Sequence, residues 1–231
     1  MKKISIVIPA YNEENTIIPL LEAVNAQSVP GFEFEILVID DGSKDNTVDL
    51  LNKRPELYCR LIQMPRNGGK GAAVRAGLKE ATGDYVLFQD ADLEYNPSEY
   101  EALLMPVDKF DADMVMGSRM KAPKYTRIHY FWHMVGNQFI TLLFNILYNT
   151  TFSDVYSCYL LYQKSLVDVE AIQTNGWEQH AEILAKATKK AKNIYEVPIS
   201  YHGRSYEEGK KIRAVHVFSV IWTMLRQRFA P

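Results

Sequence analysis

The sequence predicts an α/β fold: a mostly parallel central sheet flanked by helices, with a helical elaboration at the C-terminus. Three observations predict it. Short β-rich apolar runs alternate with helical patterns over the first 120 residues, the signature of βαβ units with right-handed crossovers. Two of those runs end in acids, at Asp40-Asp41 and at Asp90-Ala91-Asp92, where the carboxyl ends of strands in open α/β sheets bind ligands. After Arg119 the pattern turns aromatic and helical.

The elements follow in order. Ile4–Ile8 reads as a strand, Asn15–Ala26 as a helix and Phe34–Ile39 as a second strand. Asp45–Leu51 reads as a helix, Tyr58–Gln63 as a strand and Gly71–Ala81 as a helix. Tyr85–Phe88 and Met114–Met116 complete the set of parallel strands. Asn96-Pro97-Ser98-Glu99 is a helix start, with an N-cap residue, proline at the first position and glutamate three after the cap. Residues 128–148 are helical in pattern, Asp154–Tyr162 a strand, Trp177–Lys190 a helix and Ile194–Ser200 a strand. Ala214–Arg228 is an amphipathic helix. No repeat or linker cuts the chain. One catalytic domain over 1–211 is expected, with a nucleotide-binding half over about 1–120 and an acceptor half over about 121–211. A C-terminal helix over 212–231 follows it.

With 231 residues, 47% hydrophobic and 23% charged, the chain is an ordinary globular one with ample length for a core. A formal net charge of -2 gives no global pull toward nucleic acid, so any anion site is local. Cys59 and Cys158 lie in apolar stretches and read as buried free thiols in a reducing compartment. The run Ile4–Ile8 stops at Pro9, too short for the core of a secretory signal. Phe139–Tyr148, interrupted by Thr141 and Asn145, falls below the roughly 20 residues that span a bilayer. A soluble or peripheral protein is expected.

Asp90 and Asp92 suit a hard divalent cation that shares its coordination sphere with substrate phosphates. Asp-x-Asp alone recurs in loops and calcium sites. Asp40-Asp41-Gly42-Ser43 alone reads as a turn, but its matching place on the sheet points to an acceptor of hydrogen bonds from a nucleobase or ribose. In Arg66-Asn67-Gly68-Gly69-Lys70-Gly71, glycines permit close backbone approach, and free N–H groups at a helix N-terminus attract anions. The spacing matches neither a Walker A loop nor a dinucleotide fingerprint.

These motifs, in this order, resemble those of family 2 glycosyltransferases. They are Ser5-Ile6-Val7-Ile8-Pro9-Ala10-Tyr11-Asn12-Glu13-Glu14, Val38–Ser43, Asn67–Gly71, Gln89–Glu94 and Gly117-Ser118-Arg119. Glu196–Tyr201 and Arg204–Ile212 extend the likeness to the dolichyl-phosphate mannose synthase and polyprenyl-phosphate glycosyltransferase branch. The resemblance implies a GT-A nucleotide-sugar-binding fold and inverting transfer of a hexose from a donor of the GDP-mannose or UDP-glucose type to a polyprenyl phosphate. It implies that Pro9, Tyr11, Glu13 and Asp41 line the nucleoside pocket, with Lys70 and Ala91 also on the substrate. Asp90 and Asp92 would hold Mg2+ or Mn2+ with Glu94 a further ligand, and the cation would neutralise the departing diphosphate. Arg119 would lie near the diphosphate or acceptor, and Arg204 and Lys210 would contact anions. Asp154 would organise the acceptor or act as base, and Glu182 matches a further acidic position of the branch.

The chain departs from the branch at two places. Ser157-Cys158-Tyr159-Leu160 loses a basic residue of its relatives, and His180 replaces a commonly acidic one. A phosphate acceptor is already ionised at neutral pH and needs a base less than a sugar hydroxyl does. Transfer to a saccharide hydroxyl and, further off, nucleotidyl transfer are the alternatives, and a non-catalytic binding module fits the acidic set least. His129 and His133 share a helical face but lack a third ligand, so packing is expected. Tyr130-Phe131-Trp132 and the Phe139–Tyr148 stripe are expected in the core. The C-terminal helix, with Trp222, Arg226 and Arg228, suits an anionic membrane surface. The expected location is cytoplasmic, peripheral on the cytoplasmic face of a membrane, with self-association into a homo-oligomer left open.

Overall fold

The structure, a computed structural model, describes residues 1–121, 131–203 and 216–229. The strands are β1 (Lys2–Ala10), β2 (Phe32–Asp40), β3 (Arg60–Gln63), β4 (Tyr85–Phe88), β5 (Met114–Ser118), β6 (Leu160–Gln163) and β7 (Ile194–Pro198). The helices are α1 (Ile17–Asn25), α2 (Thr47–Asn52), α3 (Lys70–Glu80), α4 (Tyr100–Lys109), α5 (Phe131–Tyr148), α6 (Gln179–Lys190) and α7 (His216–Phe229). The strands form one sheet in the order β3-β2-β1-β4-β6-β5-β7.

β1 sits between β2 and β4, parallel to both, with Ile6 opposite Ile36 on one side and Leu87 on the other. A strand covered on both faces reads as a continuous apolar run, and Ile4 through Ile8 are all buried. β6 is antiparallel to β4 and to β5, while β5 and β7 run parallel. That inserted strand is the one departure from a parallel sheet. It delivers the segment before Leu160 to the same end as the carboxyl ends of β1, β2, β4 and β5.

Among the described residues each expected element forms, most with shifted bounds. Asp154–Tyr162 shortens to β6, and residues 154–159 are turn and loop. Asn96 caps through its side chain, which accepts from the Ser98 N–H, but a 3-10 turn over Pro97–Glu99 intervenes before α4. Glu99 does not close a capping box. It accepts instead from the Ser200 N–H at 2.8 Å, tying α4 to the segment after β7. Cys158 is buried as expected, whereas Cys59 is exposed. Its sulfur accepts from the Ile36 N–H at 3.4 Å where the edge strand β3 begins.

The aromatic segment also differs from expectation. Ile140, Thr141 and Phe144 of α5 are buried, but Phe131, Trp132, Phe139, Leu142 and Ile146 are exposed. On α7, Val220 and Met224 are buried while Phe218, Trp222 and Phe229 are exposed. The two helices pack on each other, and the Tyr148 hydroxyl donates to the Met224 carbonyl at 2.9 Å. α7 also packs on α6, where Gln227 Nε2 donates to Glu182 Oε1 at 3.3 Å. The result is two adjacent helices that each present an apolar stripe outward. Tyr130 and His129 lie outside the described residues. Among the described residues no helix is long and apolar enough to cross a membrane.

At the opposite end of the sheet a buried carboxylate ties three segments together. Glu35 on β2 accepts from the Ser5 hydroxyl of β1 at 2.5 Å and from the Thr82 N–H and hydroxyl at 2.8 and 2.5 Å. Lys3 Nζ adds an ion pair at 2.9 Å. Burial alone would raise the pKa of Glu35. Ser5, Thr82 and Lys3 outweigh it and bring it from 4.5 down to about 2. A depressed carboxyl pKa stabilises the folded chain above its unfolded value, and that stabilisation is lost as pH falls through the folded value. Glu35 is therefore expected to contribute about 3 kcal/mol at neutral pH, lost between pH 4.5 and about 2. Urea unfolding at pH 7 and pH 3 checks it: Glu35→Gln destabilises the chain at pH 7 and narrows the gap between the two conditions. An unchanged gap removes Glu35 from the acid response.

Candidate active site

The carboxyl ends of β2, β1 and β4 lie side by side, so Asp40-Asp41, Pro9–Glu13 and Gln89–Asp92 share one rim. The end of β5 brings Arg119 to that rim, and the turn before β6 brings Asp154.

At the part of the rim expected to meet the nucleoside, Pro9 stands opposite Ile39 in the β1–β2 register and Tyr11 is half-buried. Glu13 is buried. Its N–H donates to the Thr47 hydroxyl at 2.9 Å, and its carboxylate accepts from the Thr16 hydroxyl at 2.8 Å. Both oxygens of Asp41 are taken by the glycine loop, with Gly68 N at 2.7 Å and Gly69 N at 2.9 Å. Asp40, which the sequence reading left behind its neighbour, is buried as deeply as Asp41. Its Oδ2 accepts from Gly42 and Ser43 N–H groups at 3.1 Å, while its buried Oδ1 has no protein partner among the described residues. A buried oxygen left in that state is costly unless something donates to it. Gly42 permits the arrangement: its φ is 70°, and a Cβ there would lie 2.7 Å from Asn67 N.

The glycine loop corrects an expectation. The amides of its glycines are not free for an anion. Beyond Gly68 and Gly69, the Gly71 and Ala72 N–H groups at the start of α3 donate to the Asn175 carbonyl at 2.8 and 3.3 Å. A Cβ on Gly71 would sit 2.6 Å from the Asn175 carbon, so glycine is needed for that approach. The reason is ordinary: buried N–H groups are paired, and here the chain itself supplies the acceptors. What the loop offers to the rim is the Lys70 side chain. Its Nζ lies 2.5 Å from Asp90 Oδ1 and 5.3 Å from the centre of the Trp177 ring.

Burial pushes the Asp90 pKa upward, but Lys70 prevails and holds the carboxyl below its ordinary range. Gln89 fixes the backbone beneath. Its amide donates to the Asp90 carbonyl, and its Oε1 accepts from the buried hydroxyls of Tyr100 and Tyr159 at 2.8 and 2.9 Å. Ala91 is buried between the two acids. Asp92 Oδ1 accepts from the Glu94 N–H at 3.2 Å, and Glu94 Oε2 accepts from the Tyr201 hydroxyl at 2.6 Å. Glu94 is thus drawn toward Tyr201, and among the described residues no three His, Cys, Asp or Glu side chains converge as a metal cage. A cation held by one or two carboxylates and completed by phosphates needs no such cage, and Asp90 with Asp92 fits that donor set.

Arg119 and Asp154 form the other half of the rim. Arg119 Nε and Nη2 meet Asp154 Oδ2 and Oδ1 at 2.6 and 2.8 Å, a bidentate fork. Asn137 Nδ2 of α5 donates to Oδ1 at 3.1 Å, and the Arg119 N–H donates to Oδ2 at 3.1 Å. Asp154 is fully buried. Burial would raise its pKa, but Arg119 overrides it and the carboxyl titrates below its usual range. From β7, Glu196 accepts from Ser153 N–H and hydroxyl and from Asp154 N–H, which fixes the turn. The Arg119 guanidinium lies 5.0 Å from the centre of the Tyr201 ring, so Tyr201 stands between the arginine and Glu94.

Three residues here escaped the sequence reading. Tyr201 and Trp177 were visible only as parts of longer motifs, and Asn137 carried no signal. Glu182 is fully buried and accepts from Gln173 N–H and from Thr174 N–H and hydroxyl, anchoring the loop that carries Trp177. Burial, then the Lys70 charge, push His180 down to about 4, so it is neutral at physiological pH. Arg204 and Lys210 lie outside the described residues.

The glycosyl transferase family 2 model matches residues 5–169. The low-salt glycan biosynthesis hexosyltransferase Agl6 of Haloferax volcanii is 29% identical over 208 residues, 88% of this chain and 49% of that protein. The undecaprenyl-phosphate 4-deoxy-4-formamido-L-arabinose transferase of Klebsiella pneumoniae is 29% identical over 216 residues, 91% of this chain and 63% of that protein. The dolichyl-phosphate beta-glucosyltransferase ALG5C of Trichomonas vaginalis is 41% identical over 107 residues, 42% of this chain and 31% of that protein. The chain thus spans from about a third to under two thirds of the length of these curated relatives. Glucosyl-3-phosphoglycerate synthase from Mycobacterium tuberculosis, crystallised with Mn2+, UDP and glucosyl-3-phosphoglycerate, aligns with a TM-score of 0.73 at 21% identity. It covers 100% of this chain and 81% of that one. The same enzyme with Mg2+ and UDP gives 0.73 at 20% identity, covering 100% and 80%. The shared architecture is the GT-A fold.

Removing one partner of a buried ion pair leaves the other charge uncompensated, at a cost of about 3–5 kcal/mol. Asp154→Asn is expected to lower stability by that order, measured as a shift of the urea midpoint at neutral pH. A midpoint within error of the parent chain would show that Arg119 finds another partner.

Proposed function

We propose that this chain, which belongs to glycosyl transferase family 2, transfers a hexose with inversion from a nucleotide sugar to a polyprenyl phosphate, with a divalent cation. The observation that carries the reading is the Arg119–Tyr201–Glu94 connection. It sets a guanidinium within two side chains of the acidic loop that would meet the donor diphosphate. Asp154 engages Nε and Nη2 of Arg119, and Nη1 makes no hydrogen bond to Asp154, which in this reading suits it to an incoming anion.

The alternative acceptor, a sugar hydroxyl, needs a base to take its proton. Asp154 is poorly suited: both oxygens are engaged and its pKa is depressed. A phosphate arrives already ionised. Its oxygen attacks the anomeric carbon from the face opposite the leaving group, the new C–O bond forms as the bond to the diphosphate breaks, and the nucleoside diphosphate departs. Mg2+ or Mn2+ on Asp90 and Asp92 would neutralise charge building on that diphosphate. Asp41, Glu13, Pro9 and Tyr11 hold the nucleoside end in this reading, and Arg204 and Lys210 add anion contacts. The domain bounds of 1–211 and 212–231 remain part of the same proposal.

The test is a panel of GDP- and UDP-sugars against short polyprenyl phosphates and free sugars, read as nucleoside diphosphate release. Release with polyprenyl phosphate alone is expected, and Arg119→Lys, which keeps charge but loses the fork, is expected to raise the acceptor KM at least about tenfold. Release with free sugars alone selects the hydroxyl reading, and pyrophosphate release selects nucleotidyl transfer.

The surface of α5 and α7 supports work on a lipid-borne acceptor. Trp132, Phe139, Leu142 and Ile146 on one helix and Phe218, Trp222 and Phe229 on the other are exposed, with Arg226 and Arg228 in the last turn of α7. Aromatic and apolar side chains beside cations suit the face of an anionic bilayer, and a peripheral location on the cytoplasmic side belongs to the same proposal. Phe218→Ser with Trp222→Ser is expected to weaken flotation with phosphatidylglycerol vesicles several-fold while nucleotide binding holds. Undiminished flotation would transfer the membrane contact to another surface.

A further inference from the structure

We propose that Lys70 is the resident counter-ion of Asp90, and that a divalent cation must compete with its ammonium for that carboxylate. The inference rests on the proposed use of Asp90 by a metal and assigns Lys70 a part that no relative's name carries.

The pairing is built on both sides. Lys70 opens α3, directly after a glycine loop whose amides are already bonded to Asp41 and to the Asn175 carbonyl. The loop therefore has little freedom to carry the ammonium elsewhere. At its tip, Nζ lies 2.5 Å from Asp90 Oδ1, with the two side chains only 27% and 20% exposed. The Trp177 ring covers Nζ from another side at 5.3 Å. Trp177 is itself fixed, because its carbonyl accepts from the Tyr156 hydroxyl at 3.0 Å and the loop before it is tied to the Glu182 carboxylate. This is a held cation, not a solvated arm.

Like charges a few ångströms apart in a half-buried setting repel enough to change an affinity by orders of magnitude. With the ammonium present, Asp90 and Asp92 together offer a single net negative charge to an arriving cation. A nucleoside diphosphate changes the balance. It adds negative charge to the cation and gives the ammonium a second anion, a phosphate oxygen, to turn toward. The consequence is an order of events: the cation binds weakly by itself and well with the diphosphate.

Equilibrium titration of the full chain with Mn2+, reading free Mn2+ by electron paramagnetic resonance, tests this without turnover. The titration is run with Mn2+ alone and again with UDP or GDP. Lys70→Gln keeps a hydrogen-bonding side chain but no charge. It is expected to bind Mn2+ alone at least about tenfold more tightly than the parent and to lose most of the gain from nucleotide. Lys70→Arg keeps the charge and is expected to follow the parent. Circular dichroism melts establish that both variants fold, and Lys70→Met provides a second uncharged variant if the glutamine form does not. Mn2+ binding that is unchanged or weaker in a folded uncharged variant overturns the proposal, as does an arginine variant that behaves like the uncharged ones. Failure of the transferase reading gives a different pattern: neither nucleotide improves Mn2+ binding in the parent, while the uncharged variant still binds Mn2+ alone more tightly.

Discussion

Much of the rim depends on the buried ion pair between Arg119 and Asp154. A carboxylate with no exposure survives in the interior only if its charge is answered and its lone pairs are filled. Arg119 answers the charge from the end of β5, and Asn137 fills a lone pair from α5. Glu196 on β7 grips the same turn by its N–H groups. Four segments distant in sequence are thereby held to one point, and the guanidinium is aimed by construction. An arginine on a free loop would present the same charge with less direction.

The two halves of the rim meet their electrostatic demands differently. On the side proposed to meet the donor the glycine amides are spent internally, so in that reading attraction for phosphate would fall to the Lys70 side chain and to a cation on the acids. On the side proposed to meet the acceptor the arginine is tied to an aspartate through Nε and Nη2. Each half therefore carries positive charge that is already partly neutralised. A site so arranged would bind anions by exchange of partners, not by exposing bare charge, in keeping with a net charge of only -2.

Most of the sheet was legible in the sequence because strands buried on both faces announce themselves as apolar runs. Tyr85–Phe88 is bounded as the pattern predicts, and the acids after β2 and β4 sit at the strand ends where that pattern puts them. The position of β6 was not legible, since antiparallel insertion is decided by sheet order and not by any property of Leu160–Gln163. Nor was the fate of the glycine amides, because their acceptor, Asn175, is a hundred residues downstream and its carbonyl has no sequence signature. Asp40 and Asp41 look alike in sequence; only the packing of the loop shows which of them is bonded through both oxygens among the described residues. Periodicity likewise marked α5 as apolar but gave no indication of which of its sides meets protein.

α5 is at once a wall and a skin. Its Asn137 reaches inward to Asp154, and its Phe139 and Leu142, less than two turns away, face outward. The distance from the outer surface to the carboxylate that aims Arg119 is then about the thickness of one helix, on the order of 10 Å. One helix thus serves both, its Asn137 bracing the carboxylate that aims Arg119 while Phe139 and Leu142 carry the outward stripe.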